Sequence, residues 1–489
     1  MIESLSVDTH IAARSKKGKD NMKKLWKTLG IIVLGMAFLM GCGDEPTGVV
    51  LNGQPIDSAE IATESNDQSG QEENGERITL TLGTLGEDYY LRSVVESYNA
   101  LSERYYVEIV DYLPEHYDNV IYQASEDRFR MDLATGKGTD IVCFGNLIAD
   151  ELGYAGILTD LNTFLTPEEK QEKYLGNILE CAQTGEALYE ISPAFTLELI
   201  VGDGSKLGME NGWTLEEMLE SFERNGRDGA ALGKGQVRTV AYLVANSIED
   251  YVDWNMGTAD FCNEEFYRIL EFGKAADRGE FIRPTRESVA SGTHLASCEM
   301  LVNVADIQKF KWLFGDNMAV KGWPNSYGTG VAVNISASSM GISSYSQCPD
   351  GAWDFLDFYA GATWTEREVY AEEVLIKESF SFPGFPLNRQ LFEEALESSM
   401  VQQYTDAGDP VALLWGESGI PNFYANTAED VEKLREVIAL ADRRSVTPRL
   451  AIIRIIEEEI SGYNAGVLTV EQTAEKIENR VRLYLNEQK

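Results

Sequence analysis

Asp140-Ile141-Val142-Cys143-Phe144-Gly145, written DIVCFG, sets four consecutive apolar residues between an acid and a glycine. A strand that alternates has one wet face, whereas an unbroken apolar run of this length predicts a strand buried on both faces. Upstream, ITLTLGTL (residues 78–85) does alternate, with Ile78, Leu80 and Leu82 on one side. Leu91, Val94, Val95, Tyr98 and Leu101 then follow at helical spacing, and YYVEIVDY reads as a second strand. A helical stretch around Phe129 to Leu133 stops at Gly136, just before DIVCFG. Strand–helix–strand–helix–strand predicts an α/β fold with a parallel sheet and right-handed crossovers.

The whole chain has 489 residues, more than one ordinary core, so two domains are expected. Its formal net charge is −39, although the first 42 residues carry seven basic groups against three acids. The remainder is therefore strongly acidic and repels phosphate backbones, which argues against nucleic acid as a partner. Six cysteines stand at irregular spacings with no CxxC. With Cys42 set aside, five remain, an odd number that excludes a complete disulfide framework. Cys143 and Cys181 read as small buried hydrophobes, and His10, His116 and His294 do not cluster as zinc ligands do.

Helix starts are well marked further along. In WTLEEM, Thr214 and Glu217 form a capping pair, with Trp213 and Met218 at the staple positions. WTEREV repeats that pattern with Thr365, Glu368, Trp364 and Val369, which predicts a second such helix. PDGAWDFLDFYAG reads as a packed helix with Trp353 and Leu356 inward. TVEQTAEKIENRVRLYL reads as a terminal helix capped by Thr469 and Gln472.

At the other end, Met22 opens MKKLWKTLG, with Lys23, Lys24 and Lys27 before a short apolar run from Leu29 to Met40. This is the layout of a secretory signal, too short for an ordinary spanning helix of about 20 residues. Residues 1–21 do not fit that layout and read as an over-extended start, with 22–41 as the signal. Leu39-Met40-Gly41-Cys42 resembles a bacterial lipoprotein box, which implies that Cys42 is acylated and becomes the mature N-terminus. Each buried methylene of such an anchor contributes about 0.8 kcal/mol. Residues 42–77 read as a flexible acidic tether, poor in apolar residues and spanning roughly 30–35 Å as a coil.

No GxSxG, HExxH, P-loop or GxGxxG is present, nor an EF-hand calcium loop, so nothing in the motifs calls for catalysis, a metal or a cofactor. Acidic runs such as Glu457-Glu458-Glu459 read as solvated helix faces. Open α/β sheets bind ligands beyond the carboxyl ends of their strands. That points to three turns: GTLGED after the first strand, FGN (residues 144–146) after the third, and GWPNSYG (residues 322–328). Trp323 and Tyr327 stand in the last, whose Pro324 and Gly328 forbid a helix. Aromatic faces suit the C–H patches of sugars, while Asp, Asn and Thr suit their hydroxyls. Trp323 reads equally well as a plug between lobes.

In order along the chain, LATGKGTDIVCF, LGYAGILTDLNTFL, GWTLEEM, GTGVAVNISASSMGIS, GAWDFLDFY and EEEISGYNAGVLTVEQTAEKIENRVRLYL resemble family 1 extracellular solute-binding proteins, the lipoprotein receptors of bacterial ABC importers. The closing helices resemble those of oligosaccharide-type members from Gram-positive bacteria. One departure is Gly138-Thr139-Asp140, where the family usually has Pro-Asp after its Gly-Lys turn. The resemblance implies a two-lobe periplasmic-binding-protein-like fold, each lobe a mainly parallel sheet flanked by helices, closing on its ligand. It implies crossings near 192–195, 322–325 and 382–386, with lobe 1 as 78–192 plus 325–383 and lobe 2 as 193–324 plus 384–489. It further implies a ligand wall of Thr84, Asp88, Phe144, Asn146, Asn246, Trp254, Asp306, Trp323 and Tyr327, with Trp415 and Tyr424 in reserve. The implied protein is a monomeric receptor, not an enzyme, on the outer face of the cytoplasmic membrane, passing a sugar or oligosaccharide to an ABC permease. Three other readings stay open: a peptide, polyol or other polar ligand; a surface glycan-degrading lipoprotein; and a structural or adhesive one.

Overall fold

Strand β1 (Ile78–Thr84) lies between β2 (Tyr105–Asp111) and β3 (Ile141–Cys143), parallel to both, and β11 (Met340–Ile342) adds antiparallel to β3. This first sheet belongs to a computed structural model that describes residues 77–86, 89–145, 147–234, 239–253, 256–277, 283–335, 338–361, 364–371, 374–381, 384–405, 407–414, 419–445 and 451–487. All of them fall in one compact unit, Asn74–Lys489. The expected signal segment, Cys42 and nearly all of the tether lie outside the described residues, as do Asp88, Asn146, Trp254 and Trp415.

The unbroken apolar run at 141–143 behaves as expected: Ile141, Val142 and Cys143 are all buried. Ile141 and Cys143 face one core, with Leu80, Leu82, Val94 and Tyr98. Val142 faces another, with Phe129, Leu133, Phe144 and Leu152. Each fully buried side chain of this size contributes roughly 1.5–3 kcal/mol relative to exposure. On the helix Tyr89–Leu101 the expected stripe is buried at Leu91, Val94, Val95 and Tyr98 but ends early, because Leu101 at its last position is exposed.

The second sheet is built around the long strand β4 (Ala194–Asp203). Its path runs β15 (Ala441–Arg444), β10 (Val331–Ile335), β4, β8 (Ala296–Leu301) and β5 (Leu232–Lys234), with β9 (Met318–Val320) and β14 (Phe385–Pro386) also on β4. It is more mixed than the first sheet. The outer pairs β10–β15 and β5–β8 are parallel, whereas β4 is antiparallel to all of its neighbours. Alternation along β4 serves two cores: Phe195, Leu197, Leu199 and Val201 face one, and Ile200 faces the other with Trp323 and Ala332. β6 (Val252–Asp253) and β7 (Thr258–Ala259) form a small separate ribbon.

Capping predicted from sequence is realised where it is local. Thr214 and Glu217 form a reciprocal capping box, and Thr469 and Gln472 exchange bonds of 3.0 and 3.2 Å. WTEREV is the exception. Instead of starting a helix, β12 (Trp364–Ala371) pairs antiparallel with β13 (Val374–Ser381). Two eight-residue runs, the second rich in Val, Ile and Phe and only two residues from the first, favour a hairpin over the helix that the capping pattern suggests.

Three chain segments connect the sheets. Ile191 bridges Met340 of the first sheet, and β4 of the second begins at Ala194. β10 ends at Ile335 and β11 begins at Met340. The hairpin ends at Ser381, and β14 joins β4 at Phe385. The expected crossing at 322–325 therefore moves to 335–340, because Val331–Ile335 pairs with β4 and β15. Residues 325–335 go with the second sheet.

Candidate functional site

The connecting segments bring strand ends together. β1, β2 and β3 run parallel and end at Thr84, Asp111 and Cys143. Beside Cys143 begins β11, only four residues beyond the end of β10. β15 runs parallel to β10, so the carboxyl ends of both point back toward the first sheet. The two sheets thus present their carboxyl edges toward each other, the position at which open α/β sheets take ligands.

On the second sheet, Glu198 pairs with Ala332, and Ala332 with Arg443. Glu198 and Arg443 are thereby placed two strands apart on one face, about 10 Å between backbones. The Glu198 carboxylate is buried and accepts from Asn334 Nδ2 at 3.3 Å; its Oε2 finds no hydrogen-bond partner among the described residues. Burial pushes this carboxyl up to about 7, against the hydrogen bonds from Ser445 and Asn334, which lower it. Arg443 donates from Nη1 to the Asn246 carbonyl at 3.2 Å and from Nε to Asp442 at 2.9 Å. Its Nη2 is buried and likewise finds no partner among the described residues. Buried polar atoms are rarely left so, and here one acceptor and one donor share a sheet face.

The loop 322–330 closes over the same face. Gly322 and Gly330 adopt φ of +59° and +74°, and a Cβ on Gly330 would stand 1.9 Å from the Trp323 carbonyl oxygen. Asn325 ties the turn, accepting from the amides of Tyr327 and Gly328 at 3.0 and 2.7 Å and donating to the Trp323 carbonyl at 2.9 Å. Tyr327 is carried outward, 59% exposed, and the Arg443 guanidinium lies over its ring at 4.8 Å.

Of the expected wall residues, Asn246 and Tyr327 meet at Arg443, Asn246 through its backbone. Trp323 comes to the same face and is wholly buried in the second core. Phe144 is also a core residue, because its amide bonds to the Ser339 carbonyl at 3.0 Å and its ring packs with Phe129 and Leu133. Thr84 is buried, and its hydroxyl donates to the Gly86 carbonyl at 3.3 Å. Asp306 is buried in a structural turn, accepting from the amides of Val302 and Asn303 at 2.8 and 3.0 Å. Tyr424 is partly exposed. Glu198, Arg443, Asn334 and Ser445 were not expected from the sequence. A glutamate inside the apolar run AFTLELIV was the one available signal.

No protein-family model matches the chain, and no curated protein matches it. Solved structures are similar to it over most of its length. A periplasmic oligogalacturonide-binding protein from Yersinia enterocolitica is 13% identical, with a TM-score of 0.49, over 84% of this chain and 99% of that one. An extracellular solute-binding protein of family 1 from Alicyclobacillus acidocaldarius is 13% identical, with a TM-score of 0.47, over 84% and 100%. An ABC substrate-binding protein from Listeria monocytogenes, in complex with cycloalternan, is 12% identical, with a TM-score of 0.44, over 84% and 100%. At these values the functional reading rests on the chain's own residues.

Proposed function

We propose that this chain is a non-enzymatic solute receptor of an ABC importer, anchored outside the cell through acylated Cys42, that captures a sugar or short oligosaccharide. The observation that carries this reading is the pair of buried, unsatisfied groups on Glu198 and Arg443 beside the exposed ring of Tyr327. Sugar hydroxyls both donate and accept hydrogen bonds, and a sugar's C–H face stacks on an aromatic ring. A lobe of 77–191 plus 340–381 would close by hinge motion on one of 194–335 plus 385–487, and a permease would sense the closed state. Titration calorimetry of the full chain against neutral oligosaccharides, peptides and polyols tests the proposal. Saturable heat with a sugar class, lost in Arg443→Ala while the fold persists, is the expected result. Saturable heat with peptides or polyols alone would replace the cargo.

A further inference from the structure

Arg444, the last residue of β15, points to the other side of the second sheet from Arg443 and reaches out of its own body. Its Nη1 donates to Asp150 Oδ1 at 2.7 Å, and its Nη2 pairs with Glu190. Asp150 stands in the first turn of the helix Ala149–Tyr154, which packs on the first sheet through Ala149 and Leu152. Glu190 immediately precedes the segment that enters β4, and it accepts from the hydroxyl of Ser339, in the segment between β10 and β11. One guanidinium thus ties the edge of the second sheet to a helix of the first body and to two of the three connecting segments. Thr184 fixes the carboxylate of Asp150 from the first body at 2.6 Å. The next residue, Glu151, is held by Arg130 of the first body at 3.2 Å and lies near Tyr484 of the terminal helix, whose hydroxyl it helps burial to push up. The two bodies therefore meet at this short helix, as they also do where the Leu387 carbonyl accepts from the Leu175 amide at 3.1 Å, the Ile438 carbonyl from Asn177 Nδ2 at 3.0 Å and the Gln171 carbonyl from Arg389 Nε at 2.9 Å.

The two halves of the bridge differ in their distance from the pivot. Glu190 and Ser339 sit in or next to the connecting segments, which move least when two bodies rotate about them. Asp150 rides on the first body. We infer that the Arg444–Asp150 pair is a latch: it breaks when the bodies part, while Arg444–Glu190 stays, and so it sets how far the unliganded protein lies toward closure. This rests on the hinge reading of the proposed function. Arg444 and Asp150 act as positioning residues, because they adjust the population competent to hold ligand rather than touch it.

Small-angle scattering of the full chain without ligand tests the latch, comparing wild type with Asp150→Asn and Asp150→Glu. The same residues precede the body in all three, so any difference reports the body itself. The expected result is a larger radius of gyration for Asp150→Asn, at least partly restored in Asp150→Glu, with circular dichroism unchanged. Titrated with the same panel of neutral oligosaccharides, Asp150→Asn should bind about tenfold more weakly than wild type, within the usual range of coupling between sites. Identical scattering of folded wild type and Asp150→Asn would overturn the latch. Because that arm needs no ligand, a failure to find a sugar would count against the proposed cargo and leave the latch separately tested.

Discussion

The guanidinium of Arg443 covers the ring of Tyr327 at 4.8 Å, while Nη1 of the same group holds the Asn246 carbonyl at 3.2 Å. A cation thus stands over an exposed aromatic ring. Tyr327→Ala should weaken sugar binding by about tenfold or more, corresponding to roughly 1.4 kcal/mol. Its Tm should stay near that of wild type, since the side chain is mostly exposed. Calorimetric titration together with thermal unfolding separates the two effects.

Trp323 has the opposite character. It is wholly buried among Ile200, Ala332 and the rest of the second core, so truncation removes packing. Trp323→Ala should cost about 3–5 kcal/mol of stability, as large aromatic deletions in cores do. Denaturant unfolding measures it, and a loss below about 1 kcal/mol would contradict the burial.

Gly330 lets the loop turn back on Trp323, donating no side chain where the Trp323 carbonyl stands 1.9 Å from an added Cβ. Its carbonyl also accepts from the Trp323 amide at 2.7 Å. Gly330→Ala should destabilise by more than about 1 kcal/mol, through both φ > 0 and the clash. Unfolding by denaturant reads this too. Gly466, also at positive φ but with nothing near its Cβ, is the control and should cost less.

Glu198 gives a pH dependence with a definite sign. Its carboxyl is raised from the ordinary range to about 7 by burial, so the folded state binds a proton more tightly than the unfolded one. Its contribution is present below about pH 4.5 and is lost as pH rises through about 7, by roughly 3 kcal/mol. Asp203 and Asp430 run the other way, since hydrogen bonds and lysines hold them below the usual carboxylate range. The difference between wild type and Glu198→Gln isolates the term. Glu198→Gln should gain on wild type between pH 5 and 7 in denaturant unfolding, and a pH-independent difference would contradict the assignment.

What was legible in the sequence was what short segments decide alone. The apolar run at 141–143 and the caps at Thr214 and Thr469 needed only their neighbours. WTEREV carries the same cap letters as WTLEEM, but its fate depends on the run that begins ten residues after Trp364, with which it pairs. The crossing near 335–340 depended on which sheet accepts Val331–Ile335, a choice made by β4 and β15 rather than by local turns. Glu198 and Arg443 come together only through that same pairing. The surroundings of Phe144 and Asp306, a core and a closed turn, follow from contacts that no spacing encodes.

Thermal unfolding of the full chain, with and without a panel of neutral oligosaccharides, tests the receptor reading most directly. A site occupied at a hundred times its Kd should stabilise the fold by about 2.7 kcal/mol, several degrees in Tm. Such a shift is expected with one sugar class, diminished in Tyr327→Ala and Arg443→Ala. No shift with any sugar, from a protein that unfolds cooperatively, would contradict the receptor reading.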